Sequence, residues 1–171
     1  MGESSCTRAR AVAISCNRAL VLDGLHFARA VTLFPVERSF DLADVARLRE
    51  RQAARVSWVV LFLKAFAIVA RQHPPLRRAY LRWPWPHYLE SPHSVAMLAI
   101  NRHHDGEERL CWGRFEEPAD QSLTALQQRL DHYTHDPVEQ VFKRQVLLSR
   151  LPTWLRRWLL WWTLNFAGWR G

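Results

Sequence analysis

The chain is poor in glycine and cysteine, and each scarcity excludes a class of site. Six glycines in 171 residues are too few for the glycine-rich loops that cradle phosphate groups. The cysteines, Cys6, Cys16 and Cys111, are odd in number and include no Cys-x-x-Cys pair. Neither a disulfide framework nor a zinc knuckle is therefore indicated, and a reducing cytoplasm is the expected compartment.

Long apolar runs are also lacking. A membrane-spanning helix needs about 20 apolar residues, whereas the longest run here, Trp58 to Ala70, is shorter and carries Lys64 in its middle. This pattern is typical of a helix buried in a folded core. Residues 1–24 hold no apolar run long enough for a signal-peptide core, and we expect them to form a flexible leader before one domain of residues 25–171.

Arginine and tryptophan are abundant by contrast. The formal charge is +8, and only Lys64 and Lys143 of the 24 basic residues are lysines. Arginine binds phosphate and carboxylate groups through paired donors, so nucleic acid, anionic lipid and a phosphorylated cofactor are all candidate partners. A solvated basic surface without a specific partner is the alternative. Because the arginines are spread along the chain rather than gathered on one helix, nucleic acid is not the expected partner.

Apolar periodicity predicts the first elements. Val31 to Phe40 alternates as a half-buried strand does, and Pro35 favours an edge position. Asp41 is expected to cap a helix over residues 42–51. Ser57 is expected to cap the next helix, over Trp58 to Gln72, which ends at the prolines that follow it.

A hairpin and three helices are predicted after these elements. Ser94 to Arg102 is apolar on both faces, as in a central strand, and Arg109 to Phe115 returns beside it. The intervening His103-His104-Asp105-Gly106 supplies turn residues. Three helices are expected after the hairpin, at residues 122–133, from 136 onwards and at 152–166, and a short one is expected earlier, at residues 25–29. This order favours an α/β (α+β) fold with a mixed sheet covered by helices.

Two smaller motifs leave alternatives open. The Trp83-Pro-Trp-Pro-His-Tyr88 stretch is a stiff aromatic loop that either stacks on a ligand or covers the core. His132 and His135 lie three residues apart near a helix end, which suits either weak metal binding or a capped, solvated pair. No Gly-x-Ser-x-Gly motif is present.

The last predicted helix combines tryptophan with arginine. Both residue types favour the interface between lipid and water, where indole rings lie at headgroup level and arginine binds phosphate. A helix packed against a neighbouring subunit is the alternative, and either interpretation leaves apolar surface exposed on an isolated chain. The candidate membrane or subunit contacts are Trp154, Arg156, Arg157, Trp158, Trp161 and Trp162.

Several segments, taken in order, resemble the catalytic domain of 2-oxoacid dehydrogenase (dihydrolipoamide) acyltransferases, relatives of chloramphenicol acetyltransferase. The family's long core helix ends in a motif like His73-Pro-Pro-Leu76. The resemblance covers roughly residues 31–131 and implies a chloramphenicol acetyltransferase-like fold, in which helices cover a two-layer mixed sheet. The other segments that carry it are Phe34 to Asp41, residues 42–51, Ser94 to Ile100 and Gln121 to Leu126.

The family's catalytic signature, His-x-x-x-Asp-Gly, does not occur in this sequence; four residues before Asp105 stands Asn101. In the family that histidine takes a proton from the acceptor, which attacks an acyl thioester such as acyl-coenzyme A. The resemblance also implies a trimer with active sites between subunits. We therefore expect a C-terminally incomplete acyltransferase-like domain, inactive alone and without a covalent cofactor, that works as a homo-oligomer or with a complementary chain. The alternative is a peripheral membrane or scaffold protein.

Overall fold

Seven α-helices and two β-hairpins make up the part of the chain that the structure describes. The structure is a computed structural model that describes residues 13–29, 31–32, 34–51 and 55–166. The helices are α1 (Cys16–Ala28), α2 (Ala43–Arg51), α3 (Trp58–Gln72), α4 (Leu123–His135), α5 (Val138–Val141), α6 (Lys143–Ser149) and α7 (Thr153–Phe166). The strands are β1 (Arg78–Leu81), β2 (His87–Glu90), β3 (Val95–His104) and β4 (Glu107–Glu116). The fold is therefore of the mixed α+β class.

Side-chain caps fix the starts of the predicted helices. The Asp41 carboxylate accepts a hydrogen bond from the Ala43 amide at 3.0 Å, and the Ser57 hydroxyl accepts one from the Val60 amide at 3.3 Å. Each of these bonds satisfies an amide that has no partner within its helix. The predicted bounds of α3 are confirmed, and a turn of 3-10 helix at Pro74–Arg77 follows it.

The predicted β3–β4 hairpin is confirmed, but the single mixed sheet is wrong for the described residues. β3 pairs with β4 in antiparallel register from Val95 opposite Glu116 to His104 opposite Glu107. Asp105 and Gly106 have φ of 54° and 76°, the left-handed conformation that a tight hairpin turn requires. β1 and β2 form a second, separate antiparallel pair around the aromatic loop.

Two strand predictions are wrong, for different reasons. The described residues between 31 and 40 form no strand, and the Phe34 side chain is 83% exposed. Pro35 lacks an amide donor, and no described strand pairs with this segment. β3 is not a central strand: one face packs on the core through Ala96, Leu98 and Ile100, while Val95, Met97 and Ala99 on the other face are exposed.

Helix α1 begins inside the segment that the sequence assigns to a flexible leader. It spans Cys16–Ala28 and buries Ala19, Leu20 and Asp23. It packs against β4 and α6. The short helix expected at residues 25–29 is therefore the C-terminal end of a longer one.

Two hydrophobic clusters meet at Tyr133. The first contains Val60, Phe115 and Leu126, and the second contains Phe142 with three further buried side chains. The Tyr133 ring lies 5.5 Å from the Phe115 ring and 5.6 Å from the Phe142 ring, measured between centroids. The further members are Val56 in the first cluster and Cys111, Val138 and Val146 in the second.

Gly113→Ala is expected to lower the free energy of unfolding by about 1–3 kcal/mol, because the new Cβ overpacks this junction. That atom would lie 2.7 Å from Cδ2 of Tyr133 and 3.1 Å from Cδ1 of Ile100. Gly24→Ala in α1 is the control, since nothing lies within 4 Å of its added Cβ and alanine favours a helix. Urea unfolding of both variants measures the effect, and equal stability of the two would contradict this account.

Candidate functional site

Helix α7 presents its faces the opposite way from an ordinary surface helix. Its arginines point toward the protein: Arg156 is 5% exposed and the Arg157 side chain 40% exposed. Its tryptophans point toward solvent, with Trp154 72% and Trp158 54% exposed. Surface helices normally bury an apolar stripe and expose charge, so α7 is a candidate contact surface.

A buried carboxylate in α1 explains this orientation. Asp23 is 1% exposed and lies against both arginines of α7. The Arg156 guanidinium donates to one oxygen of Asp23, and Nε of Arg157 donates to the other at 2.9 Å. Arg156 also donates to the Leu151 carbonyl at 2.8 Å. A buried guanidinium needs such partners, since its desolvation is costly, and they fix the rotation of α7.

The electrostatics of Asp23 follow from the same contacts. Burial raises the pKa of Asp23, but hydrogen bonds and positive charge from Arg156 and Arg157 outweigh burial, so the pKa lies below its ordinary value of 3.8. Asp23 is therefore ionised at neutral pH and serves as the counter-ion that joins α1 to α7.

An aromatic surface forms where α7 ends. We use this name for Trp83, Trp158, Trp161, Trp162 and Phe166. The Phe166 ring stacks on the Trp162 ring with centroids 4.2 Å apart, and the centroid of the Trp83 ring lies 4.6 Å from that of Phe166. Trp158 and Trp161 each contact Trp162, at 5.9 and 5.8 Å between centroids. The surface thus joins α7 to the loop between β1 and β2.

The six contact residues proposed from the sequence separate into two groups. Trp154, Trp158, Trp161 and Trp162 are exposed, and the last three belong to the aromatic surface. Arg156 lies in the buried ion pair with Asp23 and has no access to a membrane or subunit; Arg157 shares that carboxylate. Trp83 and Trp85 are both exposed and belong to neither hydrophobic cluster of the described residues. No helix in the described ranges combines the length and the apolar character that crossing a membrane requires.

A second exposed apolar surface runs along α3. Only Val60, Ala67 and Ala70 of this helix are buried. The exposed side chains recur at helical spacing, and we call them the α3 stripe: Val59, Phe62, Phe66 and Val69. Beside the stripe, a groove of about 300 Å³ separates α3 from the start of β3. An uncovered stripe of this size on a core-type helix indicates a contact surface.

The histidine motifs have structural partners. His104 is buried beside the hairpin turn, with Nδ1 2.9 Å from a Glu139 carboxylate oxygen. His132 contacts Asp136, the residue that follows α4, and Nδ1 of His135 lies 3.0 Å from the Asp131 carbonyl oxygen. Among the residues described, no three histidine, cysteine or acidic side chains are grouped closely enough to hold a metal ion.

Cys111 and Arg109 form a buried polar region on β4. Burial raises the pKa of the Cys111 thiol, although the Arg109 guanidinium acts in the opposite direction. A thiol in this state is a poor nucleophile. Arg109 donates to the Asn17 side chain at 2.9 Å and to the Ser149 hydroxyl at 3.0 Å, so it ties β4 to α1 and α6. These contacts indicate a structural role.

Sequence reasoning missed Asp23, the residue that orients the candidate surface. A single acidic residue in a segment otherwise rich in apolar and basic residues was the available signal. A cleft of about 770 Å³ also lies between α1 and the β3–β4 hairpin, and its lining includes apolar side chains, Arg18 and Glu108. No family model, no curated protein and no solved structure matches this chain.

Proposed function

We propose that residues 31–131 are part of a chloramphenicol acetyltransferase-like acyltransferase domain, which receives its proton-accepting histidine from a complementary segment. The order of elements supports this proposal. α2 and the longer α3, both capped, the β3–β4 hairpin and the capped α4 follow one another in the order of the family that the sequence resembles, with the additional β1–β2 hairpin after α3. This proposal places acyl transfer from a thioester, such as acyl-coenzyme A, as the function of the assembled domain.

The α3 stripe is the observation that carries the proposal. In a domain of this class the long core helix is covered on most sides, whereas here Phe62 and Phe66 are 53% and 61% exposed. Burial of each such side chain by a partner would contribute about 1.5–3 kcal/mol of favourable free energy. A complementary segment packed on the stripe recovers this free energy.

Two further features support a missing layer of sheet. The outer face of β3 exposes Val95 and Met97, and within the described ranges each strand of the β3–β4 hairpin has one unpaired edge. The segment before α2 exposes Phe34, Val36 and Phe40 at alternate positions. Unpaired edges and alternating apolar residues are what an added strand pairs with.

In the proposed reaction, the histidine from the complementary segment acts as a general base. A histidine takes the proton from the acceptor hydroxyl or thiol, and the acceptor atom attacks the thioester carbonyl. The bond from that carbon to the coenzyme A sulfur then breaks, and the sulfur leaves as a thiol after receiving the proton. None of the buried groups described above fills the role of this base: burial favours the thiol form of Cys111, and both ring nitrogens of His104 already lie within 3.3 Å of a carboxylate oxygen, of Asp105 or of Glu139.

The test is chromatographic detection of coenzyme A released from acetyl-coenzyme A. This chain alone is expected to give no turnover above background. Addition of the polypeptide encoded directly downstream is expected to restore turnover, and loss of a motif histidine in that polypeptide should lower the rate on the order of 10²–10⁴-fold.

Surface variants connect turnover to the α3 stripe. Phe62→Asp with Phe66→Asp should abolish association with the complementary polypeptide, because both carboxylates would be desolvated there. Trp158→Ala is the matched control on α7 and should associate as wild type does. Turnover by this chain alone, or no association with the downstream product, would overturn the proposal.

A further inference from the structure

We propose that the aromatic surface is a membrane-docking site that rests on anionic phospholipid, with α7 lying in the plane of the interface. This proposal is independent of the acyltransferase proposal, because it uses α7 and the β1–β2 loop rather than the α3 stripe. Its occupant is a lipid surface, and its chemistry comes from indole rings next to the exposed Arg82.

The orientation of α7 is the first step of the argument. The Asp23 carboxylate holds Arg156 and Arg157 inward, so the opposite face of the helix must carry the tryptophans outward. The chain therefore uses a buried ion pair to keep large aromatic side chains in water. Leaving tryptophan side chains exposed to water is unfavourable in free energy unless a partner covers them. The contacts of Asp23 with Arg156 and Arg157 nevertheless fix the helix in this orientation.

Continuity between two elements is the second step. Trp83 reaches the end of α7 by its contact with Phe166, 4.6 Å between ring centroids. Trp85, two residues along the same loop, is also exposed. Rings from a helix and from a separate hairpin loop thus form one surface, which is broader than the single stripe that a docking helix would need.

Charge complementarity identifies the occupant. Neither α7 nor residues 81–89 contain an aspartate or glutamate, and Arg82 is exposed beside Trp83. The whole chain carries a formal charge of +8. Each basic residue near an anionic membrane contributes about 1 kcal/mol to binding. Tryptophan rings prefer the headgroup level, where the apolar part of each ring and its N–H are both accommodated.

The length of α7 fits an interfacial helix. Its 14 residues extend about 21 Å at 1.5 Å per residue, shorter than the hydrocarbon core of about 30 Å. A helix of this length that presents an aromatic face lies along the bilayer surface.

Vesicle co-sedimentation tests the proposal with the full chain. Wild type is expected to bind vesicles of phosphatidylcholine with phosphatidylglycerol more tightly than vesicles of phosphatidylcholine alone, and added salt should reduce the difference. Trp158→Ala with Trp162→Ala should weaken binding to the anionic vesicles by about tenfold or more. Arg82→Glu should remove much of the preference for anionic lipid without altering α7.

The matched control is Phe62→Ala with Phe66→Ala, which removes two exposed rings from the α3 stripe. This double variant should bind vesicles as wild type does. It should fail to associate with a complementary chain, so the experiment tests the docking proposal and the acyltransferase proposal separately. Binding of the tryptophan variant equal to wild type would overturn the docking proposal. So would a wild type that binds neither vesicle and instead self-associates through these tryptophans in sedimentation velocity.

Discussion

Asp23→Ala is expected to lower the free energy of unfolding by about 3–5 kcal/mol, because it leaves the buried Arg156 without its counter-ion. The Arg156 side chain is 6% exposed and cannot turn to water without moving α7. Its hydrogen bond to the Leu151 carbonyl remains but does not neutralise its charge. Urea unfolding followed by circular dichroism measures the loss.

An exposed ion pair provides the control for Asp23. Asp44 pairs with Arg47 on α2, and both side chains are mostly exposed. Asp44→Ala should therefore cost less than about 1 kcal/mol. Combining Asp23→Leu with Arg156→Met should restore part of the stability, since an apolar pair needs no counter-ion. A loss of the same size in Asp23→Ala and Asp44→Ala would contradict the role given to the buried pair.

The pair also makes stability depend on pH in a defined direction. The pKa of Asp23 is lowered in the folded state, so its contribution is fully present above the ordinary value of 3.8. This contribution is lost as the pH falls from 3.8 through the pKa that Asp23 has in the folded chain. Over that range the unfolded chain binds a proton at Asp23 more readily than the folded chain does, so protonation favours unfolding. The stability difference between wild type and Asp23→Asn should therefore be constant near neutral pH and shrink below about pH 4.

Phe115→Ala is expected to have an effect of similar size, about 3–5 kcal/mol, for a different reason. Phe115 is fully buried and packs with Val60 and Leu126 in the first hydrophobic cluster. Removing the ring leaves a cavity that the edge-on Tyr133 ring only partly fills. The same unfolding measurement detects this loss.

The control for Phe115 is Phe34→Ala, which removes the same ring from a side chain that is 83% exposed. We expect a change within about 0.5 kcal/mol. If both substitutions destabilised the chain equally, the first cluster would not be the core of this fold. The contrast also tests the finding that the segment before α2 is unpaired.

Locally determined features were predictable from the sequence. The Ser57 and Ser122 caps bond amides only three residues away, so the starts of α3 and α4 can be predicted from adjacent residues. The Asp105-Gly106 turn is determined in the same way, since both residues tolerate positive φ. These features depend on backbone geometry within one turn and not on the rest of the chain.

The errors concern features that depend on distant neighbours. The alternation from Val31 to Phe40 predicted a strand, but a strand requires a partner edge, which no described segment supplies. β1 and β2 were missed because each is four residues long and flanks a proline-rich loop. For the candidate site, the tryptophans of α7 were found from their residue type, whereas the inward arginines depend on Asp23, 133 residues earlier.

The link between α1 and α7 also has a consequence during synthesis. A ribosome adding about 5–20 residues per second needs roughly 7–27 s to make the 133 residues between Asp23 and Arg156. Throughout that interval the first helix of the nascent chain carries a carboxylate whose guanidinium partner does not yet exist. Because α1 also packs against β4 and α6, which are made before α7, we expect α1 to dock first and to gain its full protection from protease only once Arg156 has been released. Digestion of stalled chains should show this gain.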